Sequence, residues 1–212
     1  MERSPISIRQ AFNFAWPIFK KRFALFTAVL LTIFGAWVAL EIVVIAGQRF
    51  GILLWIGMHL AFLIFVAGLE VGLLQVCLAL YDGEEPTLAD SFAHLALGPK
   101  FLAGQTLYLL AALIGLLLLV VPGVYLGVRY ALFGFCMAAG ETNLVRSFQQ
   151  SAILSTGEQG YLLRVLFVLF VLNVVGASLL GLGLFITVPV SLLMMTAVYR
   201  KLSIPMIAQR YE

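Results

Sequence analysis

Six long runs of apolar residues take up most of this 212-residue chain. They extend approximately over residues 23–46, 52–81, 101–121, 124–139, 161–180 and 184–199. A helix needs about 20 residues to cross the hydrocarbon core of a bilayer. The runs are continuous, whereas the strands of a membrane barrel alternate apolar and polar residues. We therefore predict an all-α, polytopic integral membrane protein with six transmembrane helices.

The composition excludes an ordinary soluble protein. Hydrophobic residues make up 63% of the chain and charged residues only 11%, and the mean hydropathy is +1.08. The formal net charge is +3, but the basic residues lie at the ends of the apolar runs and do not form one basic face. Such placement favours contact with anionic lipid headgroups over nucleic-acid binding. We expect membrane lipids as partners and no nucleic acid.

The basic residues also predict the orientation. Eleven of the thirteen fall on one side of the predicted membrane, and only Arg49 falls on the other, while Arg129 lies inside a run. Because cytoplasmic loops carry an excess of Lys and Arg, we expect both termini in the cytoplasm. The eleven are Arg3, Arg9, Lys20, Lys21, Arg22, Lys100, Arg146, Arg164, Arg200, Lys201 and Arg210.

Three short segments on the predicted cytoplasmic side resemble one another, at residues 7–15, 87–95 and 143–151. Each begins with Ser, Thr or Asn, which cap helices well, and continues with an aliphatic residue. Each has Phe four positions after that residue, at Phe12, Phe92 and Phe148. Short amphipathic helices beside a membrane are common, so three can arise by chance. The shared Phe position favours a true repeat.

The repeating unit is an interfacial amphipathic helix followed by a helical hairpin. The three copies cover about 6–81, 87–140 and 143–202 within a single membrane domain, 1–212. Thr87 and Asp90 approximate a capping box, which predicts that the second segment is the best capped of the three. The connections on the outer side are short and require the paired helices to be antiparallel neighbours.

A family resemblance emerges in the second half of the chain. It is carried by residues 121–130 (VPGVYLGVRY), by the amphipathic segment 143–155, and by residues 181–184, 188–190 and 197–202. These stretches resemble the bacterial polytopic membrane proteins grouped with the membrane domain of glycerophosphoryl diester phosphodiesterases and with YciC-like inner-membrane proteins. The resemblance implies six helices in the bacterial inner membrane, and a role near lipids or membrane-protein assemblies. Some relatives carry a fused phosphodiesterase domain, but this chain offers no such domain, so hydrolase activity is not expected.

Ionisable residues inside the runs are candidates for function, since each costs at least about 2.5 kcal/mol at the centre of a transmembrane helix. Glu41, His59 and Arg129 are predicted at one depth and form a candidate polar site. The alternatives are a structural ion pair between Glu41 and Arg129, or side chains that reach the nearby interface. Glu70 and Arg164 form a second candidate pair.

Two further features predict packing between helices. Gly68 and Gly72 form a GxxxG pair, which allows close approach within the chain or between copies. Asn173, near the middle of the fifth run, is expected to make a hydrogen bond between helices. Signatures of hydrolases, nucleotide-binding loops and zinc sites are absent from the sequence, so we expect neither catalysis nor a metal or cofactor.

These observations favour a non-enzymatic protein that organises or accompanies other membrane components, with a protein partner or a second copy of itself. The alternative is a carrier or permease for a small or lipid-like substrate, since internal repeats and buried charges are frequent in transporters. The sequence shows no span interrupted at its centre by paired Gly and Pro, which counts against the carrier.

Overall fold

A computed structural model describes residues 6–46, 51–179 and 181–208, and all regular secondary structure in these ranges is helical. Arg3, Arg49 and Arg210 lie outside the described residues. Two 3-10 helices, Ala89–Phe92 and Leu95–Leu97, connect the third and fourth α-helices. The α-helices are α1 (Ile8–Lys21), α2 (Phe23–Ala46), α3 (Ile52–Tyr81), α4 (Gly98–Leu118), α5 (Val120–Tyr130), α6 (Phe133–Ala138), α7 (Leu144–Ser155), α8 (Gln159–Ser178) and α9 (Leu184–Ala208).

Six helical stretches are long and apolar enough to cross a membrane, as predicted, and they make this chain a multi-pass membrane protein. The third stretch joins the 3-10 helices to α4, and the fourth consists of α5 and α6. The six stretches are Phe23–Ile45, Ile52–Tyr81, Ala89–Leu118, Val120–Ala138, Gln159–Ser178 and Leu184–Ile204.

The second arms of the three hairpins supply most of the buried core, through residues 67–80, 132–138 and 190–202. We call these helices (α3, α5 with α6, and α9) the inner arms. α3 packs against both α6 and α9, and the rings of Phe135 and Tyr199 stack at 5.5 Å. The first arms α2, α4 and α8 expose large apolar side chains such as Phe34, Leu117 and Phe167. Exposed apolar surface of this extent fits contact with lipid.

The first and third short segments form capped α-helices, as the sequence predicted. At α1, Ser7 Oγ accepts from the backbone N–H of Gln10 at 3.2 Å, and Gln10 Oε1 accepts from the N–H of Ser7 at 2.9 Å. This is a complete capping box. At α7, Asn143 Oδ1 accepts from the N–H of Arg146 at 3.2 Å.

The second segment is not an amphipathic α-helix, and the prediction that it is the best capped is wrong. Asp90 Oδ2 accepts from both the backbone N–H and the hydroxyl of Thr87, but the Thr87 side chain caps no backbone N–H in return. Two 3-10 turns follow, because this stretch lies directly on the backbone of α3. A Cβ atom added to Gly72 would lie 1.9 Å from the carbonyl oxygen of Ser91, and one added to Gly68 would lie 2.8 Å from Leu95 Cα. The GxxxG pair therefore receives a segment of its own chain.

Replacing Gly72 with Ala tests this contact. The added methyl group has no room beside the Ser91 backbone, and overpacking of this kind costs about 1–3 kcal/mol, so we expect a lower midpoint of thermal unfolding in detergent. Gly57→Ala is the matched control, since Gly57 lies on the same helix with no atom within 4 Å of the added Cβ. Equal midpoints for both variants would contradict the contact.

The fourth span is interrupted at Ala131 and Leu132, between α5 and α6. Two serines from α7 satisfy the backbone groups at the break. Ser151 Oγ accepts from the Leu132 N–H at 3.1 Å and donates to the Arg129 carbonyl oxygen at 3.1 Å, and Ser155 Oγ donates to the same oxygen at 3.0 Å. The sequence shows no span interrupted by paired Gly and Pro, and this break contains neither residue. Side-chain partners replace the helical hydrogen bonds instead.

The two serines are not equivalent, and this difference is measurable. Ser151→Ala removes the only partner described for the Leu132 N–H at the break. An unsatisfied buried donor costs about 1–3 kcal/mol, so we expect a clear loss of thermal stability. Ser155→Ala leaves the Arg129 carbonyl oxygen bonded to Ser151 and should cost less than about 1 kcal/mol. Equal losses for the two variants would rule out the bridging role of Ser151.

Candidate functional site

The intramembrane residues singled out by the sequence do not come together. Arg129 Nη1 donates to the hydroxyl of Tyr125, and the guanidinium carbon lies 5.6 Å from the Tyr125 ring centroid. Glu41 makes no ion pair or side-chain hydrogen bond with any described residue. Helix α2 packs on α1, α3 and α9, whereas α5 packs on α4, α7 and α8. The expected contact between Glu41 and Arg129 is therefore wrong, because their helices have different neighbours.

His59 and the second candidate pair are also bound locally. His59 Nδ1 lies 2.9 Å from the Trp55 carbonyl oxygen on the same helix. Gln105 donates to Glu70 across α3 and α4, while Arg164 Nε donates to the Gly160 carbonyl oxygen at 3.2 Å. Glu70 and Arg164 thus have separate partners.

Asn173, by contrast, makes the interhelical hydrogen bond expected of it. Its Nδ2 donates to Ser191 Oγ at 2.9 Å and so joins α8 to α9.

The common Phe of the three segments does not have a common environment. Phe12 is 41% exposed, Phe92 is half-buried, and Phe148 stacks on Phe133 at 4.8 Å. The residue directly before each Phe, by contrast, is small and buried in all three segments. Ala11, Ser91 and Ser147 are only 1%, 0% and 0% exposed. A small residue that lets the segment lie close to the bundle is the shared feature, and the sequence carried this signal beside the more conspicuous Phe.

The three segments contact the inner arms in a regular order. The segment 89–97 packs on α3, and α7 packs on α5 and α6, so each follows and contacts the inner arm of the preceding hairpin. α1 has no preceding hairpin in the chain, yet it packs on α9, the inner arm of the last one. We define the segment face as the end of the bundle around residues 81–86, 139–143 and 200–203. Helices α3 and α6 end there, whereas α9 continues to Ala208.

Charged side chains connect the elements of the segment face. Arg22 Nη2 lies 2.8 Å from Glu85 Oε1, and Lys21 Nζ lies 3.7 Å from the same oxygen. Arg200 donates to the Asp82 carboxylate and so links α9 to the end of α3. The first two pairs join the start of the first hairpin to the residues after α3, and the third joins α3 to α9.

A cavity of about 330 Å³ opens at the segment face, where the ends of α3 and α6 meet Arg200 of α9 and the segment 89–97. Its apolar wall includes Leu78, Leu97 and Met137. A second cavity of about the same volume adjoins it and shares Gln75, Ala79, Glu84 and His94. The polar side chains of the first cavity are Gln75, Asp82, Glu84, His94, Thr142 and Arg200.

Three polar atoms of this lining are buried without a hydrogen-bond partner: Gln75 Oε1, His94 Nδ1 and Arg200 Nε. Buried polar groups in folded proteins nearly always have partners, so these three atoms are exceptions in the wall of the cavity, where they have almost no accessible surface. Sequence reasoning missed this site because its residues come from three hairpins. The isolated Gln75 in an apolar run was the available signal. Within the described ranges, no three His, Cys, Asp or Glu side chains are grouped to hold a metal ion.

The ion pair at the cavity makes a stability prediction. The Arg200 side chain is only 22% exposed, so Asp82→Asn leaves a largely buried guanidinium without its carboxylate. We expect a loss on the order of 1 kcal/mol, discounted because the pair is partly hydrated. Glu84→Gln is the matched control, since Glu84 is exposed and has no ion-pair partner among the described residues. Thermal unfolding in detergent measures both, and an unchanged Asp82→Asn variant would contradict the role of the pair.

Comparisons of this chain with protein-family models, with curated proteins and with solved structures found no match.

Proposed function

We propose that this protein is a non-enzymatic component of the bacterial inner membrane that organises or accompanies other membrane components, either a protein partner or further copies of itself. The observation that carries the proposal is the packing of the inner arms. Val71, Leu193 and Val198 are fully buried among them, and the rings of Phe135 and Tyr199 stack between two of them. A core filled by side chains favours a scaffold and counts against a passage for substrate.

We also propose that the fold is a threefold repeat of a segment and a hairpin. The main support is the contact of α1 with α9, two elements at opposite ends of the sequence. With this contact, each of the three segments packs on an inner arm of another hairpin, and the order of segments and inner arms forms a closed ring. The equal burial of Ala11, Ser91 and Ser147 is the second support. An accidental similarity would not be expected to produce both.

The proposed orientation has the segment face in the cytoplasm, at the level of the lipid headgroups. The exposed side of α1 supports this level. Phe12 stacks on Trp16 at 5.9 Å, and Lys20 Nζ lies 5.7 Å from the Trp16 ring centroid. Aromatic and cationic side chains are typical of the membrane–water interface. Lipid contact through this surface is therefore part of the proposed function.

The second candidate remains a carrier, and the break in the fourth span favours it. Discontinuous helices often line the substrate sites of transporters. At this break, however, the Leu132 N–H and the Arg129 carbonyl oxygen are occupied by Ser151 and Ser155 of the same chain. A break closed in this way favours a rigid structural bend and counts against a substrate-binding site.

Accessibility of the inner arms distinguishes the two functions. We would introduce Val71→Cys or Val190→Cys, both at buried positions, in a chain whose own Cys77 and Cys136 are replaced by Ala. In membrane vesicles of either orientation, an organiser should leave both cysteines unlabelled by a membrane-impermeant thiol reagent. A carrier with alternating access should expose at least one of them.

Leu182→Cys serves as the positive control, because Leu182 is exposed between α8 and α9. If both termini are cytoplasmic, Leu182→Cys should be labelled from the outer side and not from the cytoplasmic side. Labelling of Val71→Cys or Val190→Cys to a comparable extent would overturn the organiser in favour of the carrier.

A further inference from the structure

We infer that the exposed side of α1 binds anionic phospholipid and so gathers acidic lipid beside the first segment. We call this surface the α1 face. It consists of Arg9, Phe12, Asn13, Trp16 and Lys20, which are all exposed, and their spacing of three or four residues places them on one side of an α-helix. This lipid class deepens the proposed function, and the assignment rests on that function for the level of the segment face in the membrane.

α1 crosses the ends of three spans. The hydroxyl of Tyr161, at the start of α8, donates to the Ile6 carbonyl oxygen at 2.6 Å. The ring of Phe14 lies 4.9 Å from the ring of Tyr81, the last residue of α3. Arg22 follows α1 directly and precedes the first span. The beginning, middle and end of α1 therefore lie at the ends of different spans, which supports a position along the membrane surface.

The inward side of α1 is fixed, so the α1 face is preformed. Ala11, Ala15 and Phe19 are only 1%, 0% and 3% exposed, and α1 packs on α9. A helix held along one side cannot turn its opposite side away from its surroundings. The α1 face is therefore presented without any rearrangement of the bundle.

The charges of the α1 face are positive only. Residues 8–21 contain no Asp or Glu, and neither Arg9 nor Lys20 forms an ion pair with a described residue. Lys21 and Arg22 differ, because both lie beside Glu85. Arg9 and Lys20 can therefore meet lipid phosphates, and one basic residue near an anionic membrane surface favours the bound state by about fivefold.

Aromatic rings between the two cations favour a bilayer as the partner. Phe12 and Trp16 stack at 5.9 Å and are 41% and 37% exposed, and both lie between Arg9 and Lys20 along the helix. Lys20 Nζ lies 5.7 Å from the Trp16 ring centroid. This combination matches the boundary between acyl chains and phosphates, where Trp lies at the level of the headgroups and Lys reaches the phosphates.

The second segment carries the opposite charge and provides an internal contrast. Glu84, Glu85 and Asp90 are exposed around it, so anionic lipid should be disfavoured there. Lys100 follows this segment and donates to the Thr142 carbonyl oxygen at 3.5 Å. It is therefore a control cation at the segment face and outside the α1 face.

The test uses Trp16 as a fluorescent reporter in the full chain. Trp37→Phe and Trp55→Phe remove the other two tryptophans, which are exposed. The protein is reconstituted into vesicles of equal amounts of phosphatidylglycerol and phosphatidylcholine, with one or the other lipid brominated on its acyl chains close to the headgroup. The ratio of quenching by the two brominated lipids should correspond to about fivefold enrichment of phosphatidylglycerol. This preference should fall in about 1 M salt, because the Debye length shortens to about 3 Å.

Matched variants assign the preference to the α1 face. Arg9→Gln combined with Lys20→Gln should abolish it, whereas Lys100→Gln, which removes a cation elsewhere at the segment face, should leave it unchanged. All three residues are exposed, so the variants are expected to fold, and thermal unfolding checks this. A preference that survives in the folded double variant would contradict the α1 face as its source.

The remaining outcomes separate the lipid class from the function on which it rests. Equal quenching of Trp16 by both lipids would keep the segment face at the headgroups and overturn only the anionic class. Absence of quenching by either lipid would place Trp16 away from the bilayer, which overturns the proposed level of the segment face together with the lipid site. Cysteine accessibility of the inner arms would still decide the organiser separately.

Discussion

Close packing of the inner arms is the interaction on which the rest of the molecule depends. In a bilayer, apolar helices gain little from burial against each other, so association relies on fit and on small residues at contacts. α3 meets both other inner arms, and its Gly68 and Gly72 leave room for the segment 89–97 on another side. The first arms α2, α4 and α8 and the three segments are then arranged around this interior, and the cavity forms at the segment face.

The second constraint is the backbone. Without water, every carbonyl and N–H that leaves a regular helix needs a partner inside the protein. The fourth span departs from regular helix at Ala131, and Ser151 and Ser155 supply the missing partners from α7. Tyr108 adds a hydrogen bond from its hydroxyl to the Gly127 carbonyl oxygen at 3.0 Å. The third segment is therefore both a surface element and part of the span that it supports.

The length and continuity of the apolar runs were sufficient to predict the six spans, because a bilayer requires both of any helix that crosses it. The caps at Ser7 and Asn143 and the interhelical bond of Asn173 were also predictable from residue chemistry alone. The pairing of Glu41 with Arg129 was not, since equal depth along two helices says nothing about which helices are neighbours. The 3-10 form of segment 89–97 depends on the glycine surface of α3, a tertiary contact that the segment's own residues do not encode. The cavity likewise requires residues from three hairpins.

Hydrogen–deuterium exchange in nanodiscs, read by mass spectrometry, tests the central claim that the inner arms form one fixed interior. Peptides covering residues 69–78 of α3 and 190–199 of α9 should exchange slowly and as a single isotopic population, because their buried backbone has no second arrangement to enter. Two interconverting populations in these peptides would reveal an open state of the inner arms. That result would contradict the account of a closed, packed organiser.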